Sequence, residues 1–322
     1  MTNPSTIVWF RMRLLPTLAI AATLLSASTG CGVMNLLPER TTHERFGWKA
    51  EDYFTDPQVV ALCDAIEAKD LAEMERLVKA GADINTQGKG KMTPLMWAFP
   101  DNQLPRFKWL LEHGANPNVV VESDFNTGHR TFPGDSVTHM ACATPFPGYF
   151  DAVFDHGGDP NLRRTGATGR DATPLFTVIL SGGRNRAEKV KRLIAAGADM
   201  NMLSGGSTPP MLAAGWFKQN DLVLIMLQAG ADFRAYDRKE RDRLIHRVVS
   251  QEFGTVGLNA LPPQMQADRA AVIKWLEDHG ESYAEAKADI ERWDSWGRST
   301  GEYDRKMAAE VAERKAREKA AP

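Results

Sequence analysis

Little in this sequence invites chemistry. Its 322 residues include only seven histidines and three cysteines. Neither H-E-x-x-H nor C-x-x-C occurs, the spacings that set two imidazoles on one helical face or two thiolates on one metal. No cofactor is expected. Charge of one sign is also lacking: 39 Lys and Arg stand against 41 Asp and Glu, a formal net charge of −2, or −4 without residues 1–31. With no surplus of cations to neutralise phosphates, nucleic acid is not an expected partner. Two near-motifs fail on inspection. Gly134-Asp135-Ser136-Val137 resembles a GDSL hydrolase signature, but Ser136 and His139 fall within one helical turn and cannot form an orienting triad. Gly88-Lys89-Gly90-Lys91-Met92-Thr93 departs from G-x-x-x-x-G-K-[ST], with Asn85 at the first Gly and Met92 after the Lys, and reads as a basic hairpin tip. An enzyme is not expected.

Long hydrophobic runs are confined to the N-terminus. Arg11 and Arg13 precede the apolar stretch Leu14–Leu25, and Ser26–Gly30 are all small, the layout of an export signal. Pro16 interrupts this short stretch, which falls below the ~20 residues a spanning helix needs. Ala27-Ser28-Thr29-Gly30-Cys31 resembles a bacterial lipobox, although the family prefers Leu at the place of Ser28. That resemblance implies cleavage before Cys31 and a lipid on its thiol. With Gly32 rather than Asp next, it also implies the outer membrane. Cleavage within the small-residue run, giving a soluble periplasmic protein, and retention as an anchor are the alternatives. All three export the body of the chain; on the lipobox reading the expected membrane contact is through Cys31 alone. Residues 1–31 are expected as signal peptide and 32–56 as linker.

What is present in quantity is repetition. Gly81-Ala82-Asp83-Ile84-Asn85 returns as Gly114-Ala115-Asn116-Pro117-Asn118, Gly157-Gly158-Asp159-Pro160-Asn161, Gly197-Ala198-Asp199-Met200-Asn201 and Gly230-Ala231-Asp232. A second phrase precedes it: Thr93-Pro94-Leu95, Ser136-Val137-Thr138-His139-Met140-Ala141, Thr173-Pro174-Leu175 and Thr208-Pro209-Pro210-Met211-Leu212-Ala213. Gly81 to Gly114 and Gly197 to Gly230 both span 33 residues. These phrases resemble the ankyrin repeat, with its 33-residue period and T-P-L-H-x-A signature. The expected fold is all-α: an ankyrin-repeat solenoid of about six helix-turn-helix repeats over 57–282, joined by β-hairpin-like loops.

The pattern has physical content. Thr caps the first helix and Pro fits its first turn. Gly takes the left-handed conformation that ends the second helix, and Asp or Asn opens the turn that follows. A single unit cannot cover its apolar face, so stacked neighbours must bury it. The extra residues relative to the pattern fall in a long finger at 119–135, near Ser181–Arg184, and in a loop holding Gly254–Gly257 and Leu261-Pro262-Pro263. Beyond Gly280, residues 283–322 are expected as a capping helix, with Ile290, Trp293 and Trp296 at helical spacing, and a charged tail. Glu302/Lys306, Glu310/Arg314 and Glu313/Arg317 suit a solvated helix.

His139 and His246 occupy the His position of the signature, where the family ties neighbouring hairpins; His113, His156 and His279 precede helix-ending glycines, where positive charge suits the dipole. Cys63 and Cys142 fall in first helices two repeats apart. At ~10 Å per helix step they are too distant for a disulfide and are expected as buried thiols. Ankyrin stacks bind through fingers and the concave face of the first helices, so the resemblance implies a protein partner for a monomeric, non-enzymatic module. Register nominates Trp97, Met140, Leu212 and Trp216, and the long finger adds Phe125, His129, Arg130 and Phe132; both Trp residues are equally readable as inter-repeat core. Exported ankyrin proteins resembling this one accompany secreted effectors as immunity or accessory proteins. The alternative is a scaffold or adaptor for periplasmic enzymes.

Overall fold

The computed structural model describes residues 40–123, 125–126, 130–131, 133–164, 172–181, 185–253, 258–297 and 301–320. The export segment with Cys31, and His129 and Phe132 of the long finger, lie outside these residues. Arg40–Pro322 forms a compact unit and is described by itself.

A short helix α1 (Thr42–Phe46) comes first. Six helix pairs follow among the described residues: α2 (Pro57–Ala68) with α3 (Leu71–Lys79), α4 (Pro94–Trp97) with α5 (Leu104–Glu112), α6 (Val137–Ala143) with α7 (Tyr149–Asp155), α8 (Pro174–Leu180) with α9 (Arg186–Ala195), α10 (Pro209–Phe217) with α11 (Asn220–Gln228), and α12 (Leu244–Val249) with α13 (Pro263–Asp278). Then come α14 (Tyr283–Ser295) and α15 (Gly301–Ala320). First helices form one row, with α2 against α4, and α6, α8, α10, α12 and α14 each against the next; second helices form another, through α5 and α7, then α9, α11 and α13. The long finger carries a two-stranded antiparallel hairpin, β1 (Phe125–Asn126) paired with β2 (Arg130–Thr131).

The repeated phrases build this arrangement residue by residue. Thr93 and Ser136 accept from the N–H three residues on. Thr173 and Thr208 make no such bond; in α10, Pro210 has already removed one of the N–H groups a cap would serve. The glycines at 81, 114, 157, 197, 230 and 280 all have positive φ, between 84° and 110°, which lets each second helix end without a Cβ clash. Ala98, Ala141 and Ala213, each five residues after its N-cap, are fully buried. Second helices bury one face each, as with Met74 and Leu77 of α3 or Val190 and Leu193 of α9. At about 1.5–3 kcal/mol for each large apolar side chain, this burial outweighs the helices' own weak propensity.

The Asn of each phrase links one repeat to the next. Asn85 Nδ2 donates to Gly114 O at 2.9 Å, and Asn85 Oδ1 accepts from Asn116 N at 2.8 Å. Asn118 does the same for Gly157 and Asp159, and Asn161 for Gly197 and Asp199. Asn201 Oδ1 accepts from Asp232 N. In the fifth repeat Arg234 stands in the Asn position and reaches His279 O at 3.0 Å.

Three expectations need correction. Residues 32–56 were expected as linker, yet the described part, from Arg40 on, is folded. His43 and Phe54 are buried, Trp48 is nearly so, and α1 carries a Thr41–Glu44 capping box. This segment covers the first end of the stack, whose apolar face would otherwise meet water. Pro263 begins α13 rather than lying in a loop, so some of the extra residues there lengthen the second helix. The charged tail is not solvated on every side: Tyr303 and Met307 are buried in the same cluster as Ile290 and Trp293 of α14. Of its three i,i+4 spacings, Glu302–Lys306 is an ion pair at 2.9 Å. Glu310 reaches Arg292 at 2.8 Å and Trp293 Nε1 at 3.3 Å, while Arg314 lies over the Tyr236 ring at 3.7 Å.

Candidate partner-binding surface

The surface begins with the first-helix row. The helical stretches 94–98, 137–143, 174–180 and 209–217 contain no charged residue. Their core-facing members, including Leu95, Ala141, Leu175 and Met211, are almost wholly buried. The position four residues after each N-cap is Trp97, Met140, Thr177, Leu212 and Arg247 in turn. Trp97 is only 1% exposed. Its ring stacks on His43, centroids 4.5 Å apart, and meets Trp48 and Tyr53, while His43 Nε2 is 2.9 Å from Trp97 O. Trp97 is therefore covered by the chain's own N-terminal segment, which corrects its nomination as a partner contact. Thr177 is also buried, but Met140 and Leu212 are half-buried and keep an open edge. The backbone of Trp216 lies in α10 and those of Phe125 and Arg130 in the finger strands; their side chains are outside the described residues.

Adjoining fingers are tied together. Glu122 N donates to Gly90 O at 3.0 Å, and Lys91 pairs with Glu122 at 2.8 Å. Buried Asp135 pairs with Arg164 at 2.6 Å. Arg238 N donates to Gly206 O at 3.1 Å. The base of the long finger is closed by Val121 and Asp135 or Gly134 backbone bonds at 2.8 Å. Leu203, on the fourth finger, is 46% exposed.

The described histidines within the repeats make bonds that hold the fold. His139 Nε2 lies 3.1 Å from Leu162 O and 3.2 Å from Ala172 O, joining α6 to the next finger, and Nδ1 is 2.9 Å from Ser136 Oγ. With Ser136 and His139 fully buried, that pair has no access to a substrate. Burial, reinforced by the Arg164 charge, lowers the His139 pKa to about 4 despite the two carbonyls. His246 departs from expectation. With no sixth finger to meet, its Nε2 faces Asp289 of α14 at 3.3 Å, while Nδ1 accepts from Arg243 N at 3.0 Å. Burial pushes the Asp289 carboxyl up, but hydrogen bonds from His246 and Arg292 leave it below the usual range. His113, His156 and His279 each place Nδ1 2.7 Å from the carbonyl four residues back. Cys63 and Cys142 are free and buried, as their register implied. Among the described residues no group of three or more His, Cys, Asp or Glu is placed to hold a metal ion.

Comparison with known proteins agrees with this geometry. The ankyrin-repeat family model matches residues 91–121. Sixty-six residues, 20% of the chain, are 33% identical to protein lin-12 of Caenorhabditis elegans, of whose length they span 5%. The ankyrin repeat domain of Bcl-3, a member of the IkappaB family, superposes with a TM-score of 0.50 at 20% identity, over 69% of this chain and 86% of that one. An ankyrin repeat domain from Acinetobacter baumannii AYE gives a TM-score of 0.50 at 20% identity, over 66% of this chain and 96% of that one. The fold is an ankyrin-repeat solenoid.

Proposed function

We propose that this stack is a non-enzymatic docking module for another protein, with the partner seated across the middle of the first-helix row and the fingers beside it. The observation that carries the reading is the pair Met140 and Leu212. Both are only half-buried, on helices that carry no charged residue, while Trp97 at the same register is sealed. Apolar side chains standing open between polar fingers are the usual composition of an interface centre with its rim. The finer reading is an exported protein held to the bacterial envelope through a lipid on Cys31, serving as an immunity or accessory partner of a secreted effector. It is supported by the basic, apolar and small-residue order of residues 11–31.

A photo-crosslinking residue at position 140 tests the docking site. One discrete protein adduct, lost on Leu212→Glu, is expected; adducts that are diffuse or indifferent to Leu212→Glu overturn it. Labelling with radioactive palmitate, abolished by Cys31→Ser, is the expected sign of the anchor.

A further inference from the structure

We propose that the last turns of α15 are a displaceable latch over the fifth finger, an intramolecular stand-in for a partner helix that presents an arginine. The proposal rests on reading the fingers as a docking surface. The two halves of α15 are held in different ways. The first half is anchored: Tyr303 and Met307 are buried against the α12–α14 end of the stack, and Glu310 binds Arg292 and Trp293 of α14. The second half touches the finger between the fifth and sixth repeats through polar groups. The Arg314 guanidinium lies 3.7 Å from the Tyr236 ring centre and donates to Glu240 O at 2.9 Å, and Lys315 pairs with the Glu240 carboxylate. Every side chain from Glu313 to Arg317 is exposed or half-exposed.

Between this half and the first-helix row lies a cleft of about 580 Å³, lined by Tyr236, Arg243, Glu285, Asp289 and Arg317 among others. A helix meant only to seal the stack would fill that space with apolar side chains. The Tyr236 ring is approached from two guanidiniums, Arg314 at 3.7 Å and Arg243 at 5.6 Å. Arg243 belongs to the stack, and Arg314 is the one brought by the tail. The finger thus offers an aromatic face and the Glu240 carbonyl to an incoming arginine, and α15 supplies one in cis at the high effective concentration of a tethered group.

Hydrogen exchange of the full chain and binding of a labelled synthetic peptide of residues 312–320 test this together. Arg314→Ala is expected to speed exchange in 312–320 about tenfold while 301–311 and α14 keep their protection. The peptide is expected to bind the Arg314→Ala chain at least about tenfold more tightly than the unaltered chain, and Tyr236→Ala added to Arg314→Ala is expected to abolish that binding. Equal exchange in the two chains, loss of α14 protection, or peptide binding that ignores Arg314 and Tyr236 overturns the latch. No external partner enters these measurements, so failure of the docking reading leaves their outcome unchanged.

Discussion

At the scale of single residues, the repeating phrase divides its work between the turn it makes and the neighbour it holds. Asn161 makes both inter-repeat bonds at once, to Gly197 O at 2.8 Å and Asp199 N at 2.7 Å. Asn161→Ala is expected to cost about 1–3 kcal/mol, read as a lower urea midpoint, because two backbone groups lose their partner. His139 gives a pH signature. Its folded pKa, about 4, lies below the ordinary value of 6.5. The unfolded chain therefore binds the extra proton, and stability falls as pH drops from about 6.5 to about 4, by on the order of 3 kcal/mol. His139→Leu is expected to be less stable at pH 7, with Leu162 O and Ala172 O unpaired, yet to lose less on acidification. Urea midpoints of both proteins at pH 7 and 4.5 decide it.

At the scale of elements, what the sequence showed depends on how far each interaction reaches. Helix ends and the first-helix caps at Thr93 and Ser136 are made by residues a few positions apart, so the phrases display them openly. The Asn links act between copies, and their regular return was visible although their role was read only as a turn. The folding of segment 40–56 and the docking of α15 were not legible. Their partners are unique residues far along the chain: His43 on Trp97, and Arg314 on Tyr236. The charge spacing of α15 is the same for a free helix as for a docked one. Trp97 is readable from its register either as a partner contact or as core, and the residues that cover it, His43, Trp48 and Tyr53, lie outside the repeats. Gly88 offers a test of that segment. A Cβ there would stand 2.4 Å from Tyr53 O and 2.8 Å from Phe54, where backbone cannot easily yield. Gly88→Ala is expected to cost about 1–3 kcal/mol and to speed hydrogen exchange in 42–54, with α10–α14 unchanged.

At the scale of the whole stack, buried side chains fall into two clusters, one from Trp48 to Val153 and one from Cys142 to Met307, with Phe154 packed against both. In such a stack each repeat answers chiefly to its neighbours. Leu95→Ala, at a fully buried position, is expected to cost about 2–5 kcal/mol. Exchange should rise over 57–112 while 209–295 keeps its protection; uniform loss would mean a single cooperative unit. The two free thiols, Cys63 and Cys142, report on the same behaviour from within. Burial raises both well above the usual thiol range, so neither is a thiolate while its repeat is closed. An alkylating reagent thus keeps time for the molecule: each modified cysteine records one breathing event, at Cys63 for the first repeat and at Cys142 for the third. In an oxidising medium the same exposure would leave a permanent scar, making the closed stack its own protection against cross-linking.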